Sequence, residues 1–413
     1  MIPALRLEFN SRFKPEQYSR MLDALDADIG THISFRVAET PCFFTAEMLE
    51  DMASTGAELT HRLLGDEAYM RDSDLAIPGG YRAAGDTAHP HFMTVDFGLV
   101  READGTLSPR LVEMQAFPSV FAYQVSLGEH YRSAYGLDSS LDAFLGGHDE
   151  ASFWELLSRV ILGGHSPENV VLTEIDPYGQ KTLPDFLLTA RKLGIRILDI
   201  RELIAVPQAG KAAKFHYADG DRLVPVHRIY NRAIVEELIR RDIKLPFDFR
   251  EEFDVEWAGH PNWFFRISKF SIPYLDHPAV PRAVFLDEWM EGKRRDLLPA
   301  DREMVILKPL FSFAGQGIKF APTDADIESI PADERHNYLL QERVKFEPVI
   351  ETPFGLTQAE IRILYVWPDG GDLEPVISLI RLGRGLMMGV DHNKNQEWVG
   401  GSASFSPGRL KGS

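Results

Sequence analysis

Cysteine is almost missing from this sequence. Cys42 is the single one in 413 residues, which excludes an internal disulfide framework and a cysteine-rich zinc module. Long apolar runs are missing too: no stretch approaches the ~18 uninterrupted apolar residues that a membrane helix needs. The opening MIPALRLEFNSRF has no apolar run followed by small residues, so no secretory leader is expected. Positive charge is scarce, with 44 Lys and Arg against 62 Asp and Glu and a net charge of −18. That balance argues against a basic nucleic-acid groove spanning the surface, while leaving room for a local basic site. Together these absences predict a protein of a reducing, cytoplasmic compartment. They predict small-molecule partners, with neither nucleic acid nor membrane among them, and leave monomer and homodimer open.

What the sequence does have is core. It is 44% hydrophobic and 11% aromatic, enough to exclude wholesale disorder. Its length predicts two or three domains. Strand and helix patterns alternate, which favours a mixed α/β fold. The clearest unit starts with a short strand, Asn169 to Thr173. A helix follows, started at Thr182, with Leu183, Phe186, Leu187, Ala190 and Leu193 at helical spacing and a stop at Gly194. Ile195 opens the next strand, so this is a Rossmann-like βαβ unit without GxGxxG. A helix over Phe153–Leu162 precedes it, ending at Gly163-Gly164. Further strands are predicted over Arg222–Tyr230, Val305–Leu310, Tyr338–Val344, Glu360–Trp367 and Val376–Leu382, with helices over Asp287–Arg295 and Asp324–Ile330. The resulting division is 1–150, 151–261 and 262–413.

The segment from Thr94 to Gln115 reads as a hairpin around Asp104-Gly105. A tight turn there puts Ala103 opposite Thr106 and therefore Asp96 opposite Glu113. Glu113 and Gln115, two apart, share a strand face. Two carboxylates directly across a ladder repel unless a cation lies between them, and a hard divalent ion with oxygen ligands suits that place. The bland alternative is an exposed hairpin with solvated acids.

Two lysines stand out downstream. Lys269 interrupts the apolar, aromatic stretch Trp263 to Pro273, and Lys308 ends the apolar strand Met304 to Pro309. The loop after Lys308 carries Gly315-Gln316-Gly317, small residues that let backbone N–H groups approach an anion. The next strand turns polar at Gln341-Glu342 and ends near Val344. Such a segment offers backbone hydrogen bonds to a purine edge and a carboxylate to a ribose. Glu360 and Arg362 then share one strand face, and Arg381, Asn393 and Asn395 follow within Arg381 to Asn395. A permanently charged, planar arginine suits a phosphoryl or acyl-phosphate oxygen. Arg228, Tyr230 and Arg232 alternate onto one face and suit a substrate carboxylate, with Arg82 in a glycine loop as a further contributor. Each of these is equally readable as structural.

Taken in order, these pieces resemble a circularly permuted ATP-grasp enzyme of the glutathionylspermidine synthase type. Ser268-Lys269 and Lys308-Pro309 are similar to the family's two nucleotide lysines, and Gly315-Gln316-Gly317 to its phosphate-covering loop. Gln341, Glu342 and Val344 resemble the adenine hinge, and Glu360-Ile-Arg362 the strand bringing an arginine to the phosphates. The acidic strand pair that usually comes last stands here at the front, as Asp96 and Glu113-Met-Gln115, with Gln115 where the family usually has Asn. The resemblance implies ATP and Mg²⁺ (or Mn²⁺) as cofactors, the metal held by Asp96, Glu113 and Gln115. It implies a ligase that activates a carboxylate as an acyl-phosphate and joins it to an amine. Arg362, Arg381, Asn393 and Asn395 would stabilise the charge that develops. A phosphotransferase and a catalytically silent nucleotide binder are the alternatives.

Overall fold

The computed structural model describes residues 1–311, 315–389, 393 and 395–408. Its central sheet is assembled from both ends of the chain. The strand order is Cys42–Phe43, Gly400–Pro407, Glu374–Gly383, Gly355–Val366, Phe92–Arg101 and Leu107–Gln115. Neighbours are antiparallel, apart from Cys42–Phe43, which runs parallel to Gly400–Pro407.

Alternation along Glu360 to Val366 decides what each face of this sheet does. Ile361, Ile363 and Tyr365 are fully buried in one cluster with Leu49, Met52 and Leu59 of the helix Ala46–Gly65. The Tyr365 hydroxyl donates to the Ala53 carbonyl (2.8 Å), and a Cβ at Gly56 would lie 2.2 Å from that hydroxyl. Only glycine lets helix and strand approach this closely. On the opposite face, Leu364, Val366 and Ile377 pack with Phe153, Val170, Leu172 and Tyr230 of the neighbouring α/β unit. Glu360 and Arg362 continue that same face, where the sheet turns from apolar to charged.

The α/β unit has a parallel sheet ordered Glu256–Ala258, Arg228–Asn231, Val170–Glu174 and Arg196–Asp199. The predicted helix between its strands is present as Leu183–Leu193, closed by Gly194 at φ 72°. The single strand expected over Arg222–Tyr230 is two strands in different sheets. Arg222–Pro225 completes an antiparallel meander with Ile204–Gln208 and Lys211–Asp219, and Arg228–Asn231 joins the parallel sheet. Pro225 has no N–H with which to extend the ladder, so the chain changes sheets there.

A third sheet is antiparallel, ordered Ala283–Phe285, Tyr338–Glu342, Val305–Pro309 and Lys319–Phe320. The helix expected over Asp287–Arg295 stops at Met290, because Gly292 (φ 86°) and Arg294 (φ 52°) turn left-handed. Four helices, Pro3–Arg12, Pro15–Ile29, Ala46–Gly65 and Glu67–Leu75, occupy the first 75 residues. Among the described residues, no helix is long and apolar enough to cross a membrane.

Candidate functional site

The hairpin sets the site. Asp96 and Glu113 are directly opposed, as expected, but by a different route. Glu102 and Thr106 close a three-residue loop, the Glu102 N–H donating to the Thr106 carbonyl (2.9 Å), with Gly105 left-handed at φ 87°. This loop is one residue longer than a tight turn and slides the register by one. A bulge at Val112 slides it back, since Phe97 pairs with Leu111 and Asp96 with Glu113. The extra residue turns its carbonyl toward the Lys308 ammonium, 3.5 Å away.

The opposed carboxylates are answered by cations of the chain. Arg362 grips Asp96 with both arms of its fork, Nε at 2.6 Å and Nη2 at 2.7 Å, and its Nη1 donates to Ser119 Oγ at 3.4 Å. Arg381 donates to Asp96 (3.2 Å) and to Glu360. Lys269 lies 3.1 Å from Glu113, which also accepts from the Gln115 amide at 3.0 Å. Lys269 arrives on the 3-10 turn Lys269–Tyr274, capped by Ser268. Burial alone would raise the Asp96 carboxyl, but Arg362 and Arg381 outweigh it and hold the group below its ordinary value. Glu360 goes the other way, pushed up by burial and by the neighbouring Asp96 despite Arg381. Burial pushes the Lys308 ammonium down to about 8, with Lys269 adding to the effect and Glu113 opposing it.

All these groups line one cavity of about 440 Å³ between the central sheet and the third sheet. Its charged half holds Asp96, Glu113, Gln115, Lys269, Lys308, Glu360, Arg362 and Arg381. The rest of the lining is largely apolar, with Ile306, Ile318, Phe320, Val344, Phe346 and Met388, and carries Arg343, Lys345 and Gln358 among them. Phe346 lies so close to the sheet that a Cβ at Gly98 would meet its ring at 2.1 Å. Beside this wall, Gln341 is 0% exposed, and neither its amide nitrogen nor its amide oxygen has a partner among the described residues. It stands beside Ile306, which in turn pairs with Phe320, so the three form a row across the sheet. A buried amide with both ends unpaired costs stability until a ligand supplies a donor and an acceptor.

The mouth is framed by two glycine loops. Gly315 (φ 73°) and Gly317 (φ 75°) belong to one, and Gly385 to Gly389 to the other. Met387 of the second reaches Gly315 of the first, where a Cβ would sit 1.9 Å from its terminal methyl. Asn393 shapes the second loop without lining the cavity. Its amide donates to the carbonyls of Met387 (3.1 Å) and Gly389 (3.3 Å) and accepts from the Arg384 N–H (3.3 Å). Asn395 is exposed, and neither it, Gln316 nor Gly317 lines the cavity. Ser312, Phe313 and Ala314 of the first loop, and Asp391, His392 and Lys394 of the Arg381 to Asn395 stretch, lie outside the described residues. Glu342 points into a neighbouring groove, which it shares with Arg282, Arg343 and Val344.

The arginines proposed for substrate stand elsewhere. Arg232 is buried against Asp185 (2.6 Å), whose carboxylate also caps the helix Phe121–Tyr135 through the N–H groups of Ala122 and Tyr123. Arg82 is partly exposed and pairs with Asp74 at 3.0 Å. Arg228 floors a second cavity. Sequence reasoning did not find the apolar wall of Ile306, Ile318, Phe320 and Phe346, nor the glycine–methionine loop 385–389. The spacing Gly383, Gly385, Gly389 around Met387-Met388 is the signal that would have found the loop.

The donor set fits a nucleotide with a hard divalent ion. Mg²⁺ characteristically takes one or two protein carboxylates and completes its shell with phosphate and water. The opposed pair Asp96 and Glu113 could supply the carboxylates. Among the described residues no cluster of three His, Cys, Asp or Glu stands ready as a self-sufficient metal site.

No protein-family model matches this sequence, and no curated protein does. Among solved structures, the chain is similar to a glutathione synthetase-like effector from Globodera pallida in its apo form. Identity is 12%, the TM-score is 0.58, and the match covers 95% of this chain and 96% of that one. The likeness is one of fold: a mixed α/β protein of several sheets that runs alongside its neighbour over nearly the full length of both.

Proposed function

We propose that this protein is an ATP- and Mg²⁺-dependent ligase with a circularly permuted ATP-grasp fold, joining a small-molecule carboxylate to an amine. The observation that carries the reading is the two-part cavity. One part is largely apolar, with Arg343 and Lys345 along it, and contains a buried amide without a partner among the described residues, as a base requires; the other concentrates Lys269, Lys308, Arg362 and Arg381 with three acids, as a metal-bound polyphosphate requires. The fold neighbour named for glutathione synthetase supports the same reading.

In this reading Gln341 and the wall of Phe320 and Phe346 hold the base. Lys269 and Lys308 bind phosphate oxygens, and Arg362 and Arg381 neutralise the charge that develops on the transferred phosphoryl. Asp96, Glu113 and Gln115 would hold the metal, which would supply positive charge to offset that of the phosphates. The substrate carboxylate takes the γ-phosphoryl from ATP, giving an acyl-phosphate and ADP, and the neutral amine nitrogen then attacks that carbonyl, expelling phosphate and losing a proton to solvent. A carboxylate is a poor electrophile at neutral pH, so activation is what the nucleotide contributes.

A silent nucleotide binder is the second reading. It is favoured by the ion pairs that already occupy Asp96 and Glu113. Phosphate release with ATP and pooled amino acids and polyamines separates the two. A ligase releases phosphate only with both co-substrates, and the release collapses in Lys308→Ala and Glu113→Ala. ATP-dependent stabilisation without such release leaves the binder. No rise in melting temperature with Mg²⁺–ATP removes both.

A further inference from the structure

Arg228 lies in a second cavity of about 540 Å³ that shares no residue with the first. This cavity sits between the start of the parallel sheet and the turn joining Gly355–Val366 to Glu374–Gly383. Two donors form its floor. The Arg228 side chain is only 4% exposed, and its Nε and Nη2 donate to the Val160 carbonyl at 3.1 and 2.9 Å. That pair of bonds fixes the plane of the guanidinium against the end of the helix Glu150–Leu162. Gly163 makes room for it, since a Cβ there would lie 2.7 to 2.9 Å from the Arg228 side chain. The second donor is His91, whose side chain is 1% exposed. Its Nδ1 accepts from the Gly259 N–H at 3.4 Å, which leaves the proton on Nε2, facing Asp369 at 3.0 Å. Burial pushes this imidazole down to about 4, so at neutral pH it is a neutral donor.

The groups that answer this buried floor belong to the rim. Glu256 reaches Arg228 Nη1 at 2.6 Å, and Asp369 reaches Arg228 Nη2 at 3.4 Å as well as His91. Yet the Glu256 and Asp369 side chains are 54% and 65% exposed. Asp369 stands on a turn with Gly370 and Gly371 beside it. A buried pair of donors is thus covered by two carboxylates that are more than half exposed, Glu256 being held also by His165 at 3.1 Å. Each of these ion pairs has one exposed end, whereas a ligand carboxylate seated on the outer Nη1 and Nη2 hydrogens of the fixed guanidinium gains directional bonds. Trp257 supplies an aromatic wall and Arg159 a further cation at the rim.

We propose that this second cavity binds a small dicarboxylate, whose two carboxylates take the places of those of Asp369 and Glu256. The site stands apart from the nucleotide reading and is testable without nucleotide. The full chain is titrated with succinate and glutarate at constant ionic strength, following tryptophan fluorescence, with Trp257→Phe to assign the signal and calorimetry as a second measure. Saturable binding is expected. Asp369→Asn, which removes a competing carboxylate, should tighten it about fivefold. Arg228→Met should abolish it. Should Arg228→Met fail to fold by circular dichroism, Arg228→Lys decides, with binding weakened at least about tenfold by loss of the fork. A purely structural network gives the opposite pattern: Asp369→Asn lowers the melting temperature and no dicarboxylate binds. That result, or equal binding of acetate and succinate, overturns the proposal.

Discussion

Replacing Lys308 with methionine should stabilise the nucleotide-free protein and blind it to ATP. Lys308 is 5% exposed, and its ammonium makes one long hydrogen bond among the described residues, to the Val112 carbonyl at 3.5 Å. Burial lowers it from 10.5 to about 8. At 1.36 kcal/mol per unit, holding this charge costs about 3 kcal/mol. Methionine fills similar space without the charge and forfeits the Val112 bond, worth about 1 kcal/mol, for a net gain of about 2 kcal/mol. With an unfolding entropy of about 2.1 cal/mol/K per residue, the melting temperature should rise by about 2 °C. Between pH 8 and 10.5 the native state binds fewer protons than the unfolded chain, so wild-type stability rises with pH across that window. The advantage of Lys308→Met is therefore full below pH 8 and gone by about 10.5. Urea titrations at pH 7 and 10 measure it, and melting curves with Mg²⁺–ATP at pH 7 measure the loss of binding. A variant less stable than wild type at pH 7, an advantage that does not shrink with pH, or an undiminished ATP shift would each refute the reasoning.

Three further outcomes follow from the same geometry. Asp96→Asn leaves Arg362 and Arg381 short of a buried counter-charge and should cost about 3–5 kcal/mol in urea titrations at pH 7. Because the folded Asp96 pKa is lowered, this contribution is present above the ordinary carboxylate range and fades as acid titrates the folded group. Gln341→Leu removes an unpaired buried amide, so apo stability should hold or rise. Its ATP affinity by calorimetry should fall about tenfold, the worth of one or two neutral hydrogen bonds. Arg232→Met strips the partner from buried Asp185 and should cost about 3–5 kcal/mol, while the ATP-induced rise in melting temperature is unchanged.

The part of the site carried by strand alternation was legible in the sequence. Asp96 facing Glu113, Glu113 sharing a face with Gln115, and Glu360 sharing one with Arg362 are consequences of a two-residue period. The Asp96–Glu113 pairing came out correctly because two one-residue shifts, in the turn and at Val112, cancel. Turn residues alone do not reveal such a bulge. The burial of Arg232 against Asp185 was not legible, for a different reason. Its fate depends on Asp185, a helix residue distant in sequence, whose alignment with the helix Phe121–Tyr135 is a tertiary event. Arg228 alternates onto the same strand face yet stands at the opposite end of the strand, beside another cavity. Gln341 was legible as polar in an apolar strand, but that its amide stays unpaired depends on its neighbours Ile306 and Phe320, which belong to other strands. The helices of the first 75 residues had no motif to betray them, although Ala46–Gly65 backs the sheet that carries the site.

The sheet order has a consequence for how the chain is made. Phe92–Arg101 leaves a ribosome long before Gly355–Val366, the strand that covers its other edge. At about 5–20 residues per second, the hairpin waits on the order of ten to fifty seconds with that edge unpaired. Its apolar face, with Val95, Phe97 and Leu99, is exposed for the same interval unless the helix Ala46–Gly65 closes over it first. An unpaired apolar edge is a template for association between chains. Asp96 and Glu113, set side by side on that hairpin, would then act during synthesis as charges that keep nascent copies apart, before either has a cation to face.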